Sequence, residues 1–85
     1  MTIADDFSDR HPGTVGLLRF FAYQHLPSTL RAISHPCAEL AGKMTEQLPD
    51  GPELTAGLRK LLEAKDCFVR AALPPAPAYP LIPKE

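Results

Sequence analysis

The chain has no tryptophan, only two cysteines and only five glycines in 85 residues. Two cysteines cannot supply the disulfide framework on which small secreted domains depend, and the N-terminal MTIADD is acidic with no apolar h-region. Both features lead us to expect a reducing, cytoplasmic setting. The scattered glycines form no phosphate-cradling loop. The formal net charge is -1, so no bulk field draws the chain to a nucleic acid polymer or to an anionic membrane. No apolar run approaches the roughly 20 residues that span a bilayer. A basic recognition helix with a clear groove face is also missing, which leaves a DNA-binding regulator with little support.

What the chain has in quantity is proline, ten in all, placed as punctuation. Between Pro52 and Pro74 runs ELTAGLRKLLEAKDCFVRAAL, where Leu54, Leu58, Leu61, Leu62, Phe68, Val69 and Ala72 recur at helical spacing. Asp50 or Gly51 can cap this helix, Pro52 suits its first turn, and Glu53 complements the positive end of its dipole. Pro74 and Pro75 stop it.

Upstream, Leu30, Ile33, Cys37, Leu40, Ala41, Met44 and Leu48 form a second helical stripe, with Ser28 as a candidate cap. Pro36 interrupts it and leaves two readings. One is a single helix over about 28–48, kinked where Pro36 removes the bond to Ala32; the other is a turn followed by a helix capped by Ser34. The unbroken stripe favours the single helix. LPDGP then makes a turn, so the two helices form an antiparallel hairpin.

The remaining segments are less regular. Residues 1–14 mix Asp5, Asp6, Asp9, Arg10, Pro12 and Gly13 and read as a mobile arm. VGLLRFFAY, residues 15–23, is apolar but too short for its period to separate helix from strand. Its Phe20, Phe21 and Tyr23 are expected to dock on the helices. PPAPAYPLIPKE after Leu73 reads as a polyproline-type tail with Tyr79, Leu81 and Ile82 as docking points, or as a disordered end. The expected organisation is an all-α chain: an N-terminal arm over 1–19, a helical hairpin domain over 20–73 and a Pro-rich tail over 74–85. A lone hairpin of this size is marginal, because small cores rarely supply more than about 3–5 kcal/mol. Its apolar positions also span more than one seam. Both points predict a homo-oligomeric helical bundle with pockets between protomers.

Candidate chemistry is sparse. Arg59 with Glu63, and Asp66 with Arg70, are spaced as helix-surface pairs, worth about 0.2–0.5 kcal/mol each. Arg31, Ser34 and His35 surround the helix start that Pro36 would create, where free amides, a hydroxyl and a guanidinium suit an anion. Tyr23 and His25 lie just upstream, and either ring can stack on a base. His25, His35 and Cys37 match no paired zinc spacing, so no metal is expected; Cys37 and Cys67 read as small apolar residues. No triad is specified, so no catalytic residue and no cofactor are expected.

Two stretches resemble a known family. LRKLLEAKDCFVRAAL (58–73), preceded by LPDGPELTAG, and FFAYQHLPSTLRAISHPCAELA (20–41) are similar to the hairpin domain shared by the anti-CBASS and anti-Thoeris sponge proteins of phages. The resemblance implies an α-helical homo-oligomer, commonly a hexamer, that sequesters a cyclic di- or trinucleotide or a cyclic ADP-ribose isomer without cleaving it. It also implies an aromatic that stacks on a base, matched by Tyr23, and a basic residue on the first helix that holds phosphate. Ser34 stands at that basic position, so Arg31 or His35 takes the role. Leu54 stands where many relatives carry an arginine. The expected ligand set is Tyr23, His25, Arg31, Ser34 and His35. An alternative from another class is a helical oligomer that acts as a protein-interaction adaptor through its proline tail.

Overall fold

A computed structural model of the chain describes residues 3–73. These are mostly helical, with no strand among them, as the all-α expectation requires. The order is α1 (Ile3–Asp6), α2 (Pro12–Leu18) continuing into a 3-10 turn (Arg19–Phe21), α3 (Ser28–Gln47) and α4 (Pro52–Ala72). The proline-rich tail, with Tyr79, Leu81 and Ile82, lies outside the described residues.

α4 begins and ends as its sequence dictates. Pro52 occupies the first turn behind Gly51, and Glu53 follows. The helix stops at Ala72, and Leu73 turns extended (φ -78, ψ 154) in front of Pro74. α3 is the single helix that its stripe favours, with Pro36 inside it. Pro36 has no N–H to offer the carbonyl of Ala32 one turn back. Pro27, not Ser28, holds the N-cap position, and no side chain caps the start.

α3 and α4 pack on one another across the Leu48–Gly51 turn, and α3 also meets α2 and the 3-10 turn. Contact on two sides moves its buried line. The buried residues of α3 are Ser34, Ala38, Ala41 and Thr45, small side chains that let neighbouring backbones approach. Of the stripe expected from hydrophobicity only Ala41 is fully buried; Leu40 and Leu48 are both 45% exposed, and Leu30, Ile33, Cys37 and Met44 are half-buried. In α4, Leu54 and Leu58 enter the core, Leu61 and Leu62 pack against it, and no residue after Leu58 is buried.

The segment expected as a mobile arm is the principal correction. Residues 3–21 form α1, α2 and the 3-10 turn, and they bring Ala4, Thr14, Leu18 and Phe21 into the core. Leu18 and Phe21 are fully buried. Local composition hides this, because the stabilising contacts are long-range. Pro12 opens α2, and His11 caps it by accepting the Gly13 N–H at 2.9 Å. Arg10 reaches across to the end of α3, donating to the carbonyls of Thr45 and Leu48 and pairing with Asp50 at 3.2 Å. The orphan carbonyls at that helix end are thus met by a guanidinium from the N-terminal segment.

Candidate functional site

α1, the Tyr23 segment and the middle of α3 enclose an open groove of about 720 Å³. Tyr23 sits just past the 3-10 turn, where Phe21 anchors the chain in the core. His35 lies on the exposed side of α3 beside the buried Ser34. The two rings meet with centroids 4.8 Å apart and planes tilted by 57°, a separation within the range of interacting aromatic pairs. Gln24 accepts the Tyr23 N–H at 3.3 Å.

Further along α3, Glu39 and Lys43 continue the row one and two turns past His35 and line the groove with it. His35 Nε2 lies 3.6 Å from Glu39 Oε2, an i,i+4 pair that is charged only when the imidazole is protonated. Asp6 and Glu46 add two carboxylates to the lining. The far wall is α1, seated by a close approach: a Cβ at Gly42 would lie 3.1 Å from Ile3 Cδ1 and 3.9 Å from Phe7.

The structure separates the expected ligand residues. Tyr23 and His35 are brought together in the groove. Arg31 is exposed on α3, one turn before His35 on the same row, and is not part of the lining. His25 is exposed in the turn between Tyr23 and α3, also outside the lining. Ser34 is fully buried, and its hydroxyl has no hydrogen-bond partner, so it is no surface contact. The anion site expected at a helix start beside Pro36 is also corrected. α3 runs through that point, so the unbonded amides of its first turn belong to Ser28–Leu30, next to Arg31. The expected Asp66–Arg70 pair gives way to other partners: Asp66 pairs with Lys65 at 2.9 Å, and Arg70 donates to Cys67 Sγ at 3.5 Å.

Sequence reasoning missed Asp6, Glu39, Lys43 and Glu46 in the groove. The i,i+4 run Arg31, His35, Glu39, Lys43 was the available signal. Asp50, read as a candidate cap, does not cap α4, where Gly51 holds the N-cap position without a side-chain bond; its carboxylate instead accepts from Arg10, from the His11 amide and from the Thr14 hydroxyl, each at 3.2 Å. Partial desolvation works to raise the Asp50 carboxyl, and the Arg10, His11 and Thr14 donors outweigh it, holding the group below its ordinary value. Burial pushes the Cys37 thiol up, and Lys65 partly offsets that.

Among the described residues no group of His, Cys, Asp and Glu is arranged to hold a metal ion, and no helix is long and apolar enough to cross a membrane. No family, curated protein or solved structure matches the chain.

Proposed function

We propose that this protein is a phage-encoded sponge. In this reading it binds a cyclic di- or trinucleotide, or a cyclic ADP-ribose isomer, and withholds it from a bacterial defence effector. The observation that carries the reading is the Tyr23–His35 ring pair at the groove, with His35 one helical turn from Arg31 and about two turns from the uncapped start of α3. A base stacks on the rings. The phosphates turn toward Arg31 and the free amides, where the helix dipole favours negative charge. They turn away from Glu39 and Glu46, which are left to accept hydrogen bonds from base edges. No bond is broken, so inhibition is stoichiometric.

A site this open is completed by a second copy. Phe20, Leu40 and Leu48, exposed at 64%, 45% and 45%, give a homo-oligomer apolar surface to bury. Cations from the neighbouring protomer then offset the carboxylates of the groove.

Thermal shift against a panel of cyclic di- and trinucleotides and cyclic ADP-ribose isomers tests the proposal. Ligand at a hundred times its Kd adds about 2.7 kcal/mol, a rise of about 11–22 °C in a domain of this size. Tyr23→Ala and Arg31→Ala each remove the shift, and the ligand is recovered intact after denaturation. Absence of stabilisation by every member of the panel at high micromolar concentration overturns the reading.

A further inference from the structure

At the end of the molecule opposite the Arg10–Asp50 contact, α3 and α4 leave an apolar groove of about 510 Å³. Its walls are Ala32, Ile33, Pro36 and Cys37 from α3 with Phe68 and the last turn of α4. Phe68 is 55% exposed there, and Leu73, which follows the last residue of α4, is 45% exposed. Within this groove the Cys37 thiol donates to the Ile33 carbonyl at 3.8 Å, and a second hydrogen-bonding feature lies one residue earlier. Ala32 lies in its wall, and Pro36 leaves the Ala32 carbonyl without the usual helical donor. An occupant that matches it is apolar and carries N–H or O–H donors.

The chain itself continues with such a segment. Ala71 and Ala72 line the groove, so the polypeptide leaves α4 at its rim. Beyond Leu73 the sequence is PPAPAYPLIPKE, in which Pro74, Pro77, Pro80 and Pro83 recur every third residue. A left-handed polyproline helix has three residues per turn. In that conformation the prolines would share one ridge, and Ala76, Tyr79 and Ile82 the next. PxxP segments of this kind dock in apolar grooves with aromatic walls. The only charges, Lys84 and Glu85, come after the apolar ridge. Residues 74–78 alone reach about 15 Å in this conformation, whereas Phe68 to Ala72 spans about 6 Å of α4. The tether therefore allows a return, at high effective concentration.

We propose that the groove formed by Ala32, Ile33, Pro36, Cys37 and Phe68 is the docking site for the chain's own segment after Leu73, with Tyr79 and Ile82 as the inserted side chains. The segment covers the half of α4 that the N-terminal helices leave bare, and a donor from it meets the Ala32 carbonyl. This inference stands apart from the nucleotide reading, since it uses none of the Tyr23 groove.

The two thiols supply the test. Cys37 lies in the groove and Cys67 outside it, exposed. In the full chain, alkylation rates of both are read by peptide mass spectrometry, with and without Tyr79→Asp/Ile82→Asp. If only the undocked form reacts, a docked fraction of about 80% slows Cys37 about fivefold. The double substitution releases that protection and leaves the Cys67 rate and the helical circular dichroism unchanged. Equal Cys37 rates in the two proteins overturn the proposal, as does a matching rise at Cys67, which would mark general loosening. Protection that disappears on dilution also overturns it, because the occupant would then be a second copy.

Discussion

Arg10 and Asp50 stand forty positions apart in sequence and meet at 3.2 Å, joining the N-terminal segment to the turn between the two long helices. The same guanidinium donates to the carbonyl of Leu48 at 2.7 Å and to that of Thr45. One side chain therefore closes the end of α3 and holds α2 in place. Arg10→Ala leaves those carbonyls without their charged donor and costs about 2 kcal/mol, the usual scale for hydrogen bonds to a charged group. For a domain of this length that lowers Tm by about 8–16 °C. Arg10→Lys keeps the charge but loses the planar fork, so it recovers only part of the loss. Thermal denaturation of the three proteins followed by circular dichroism checks the order.

The same contact makes stability depend on acid. Asp50 is held below its ordinary value in the folded chain. A group depressed in this way contributes stability that is fully present above the unfolded carboxylate pKa, about 3.9, and that is lost as pH falls through the folded value. Urea midpoints of the native protein therefore fall as pH is lowered below about 4. Asp50→Asn starts from a lower midpoint near neutrality and shows a flatter acid limb. An acid limb of unchanged steepness in Asp50→Asn would show that other carboxylates govern it.

Gly42 permits the approach of α1. An added methyl group meets Ile3 Cδ1 at 3.1 Å, and that contact is the far end of a flexible side chain. Gly42→Ala is thus close to neutral: Ile3 shifts slightly, and alanine gains about 0.5–1 kcal/mol of helix propensity over glycine. Gly42→Val brings a branched side chain into the space held by Ile3 and Phe7 and displaces α1, a helix of only four residues with little stability of its own. Hydrogen exchange reads this directly. Amides of 3–7 lose protection in Gly42→Val, and those in the middle of α4 keep theirs.

The two long helices were legible because their apolar spacing, Pro52 and Pro74 are local signals, and local signals are what a sequence displays. The line of burial on α3 was not. Hydrophobicity pointed to Leu30, Ile33, Leu40 and Met44, but a helix packed on two sides puts small residues at the closest approach, which selects Ser34, Ala38, Ala41 and Thr45. The N-terminal helices were hidden for a related reason. Asp, Gly and Pro in residues 5–13 look like an arm until Arg10 and His11 find Asp50, and nothing within those residues names so distant a partner. At the candidate site, the Tyr23 and His35 rings were identified and do meet. Of their acidic neighbours, Glu39 shares the i,i+4 row of His35 on α3, whereas Asp6 joins them only once α1 is folded over α3.

Ser34 decides between a structural and a ligand role by a substitution whose sign differs in the two cases. Its hydroxyl is fully buried without a partner. The other buried hydroxyls are satisfied: Thr45 donates to the Ala41 carbonyl at 2.8 Å and Thr14 to Asp50 at 3.2 Å. An unmet buried hydroxyl costs about 1–3 kcal/mol, while alanine fits the same space and is the better helix former. Ser34→Ala therefore stabilises the protein by about 1 kcal/mol, raising Tm by about 4–8 °C, and leaves any nucleotide shift intact because the groove does not contain it. Had Ser34 been a phosphate contact, the same change would leave Tm nearly unmoved and weaken the ligand. Paired thermal melts of Ser34→Ala and native protein, with and without the best ligand of the panel, separate the two outcomes.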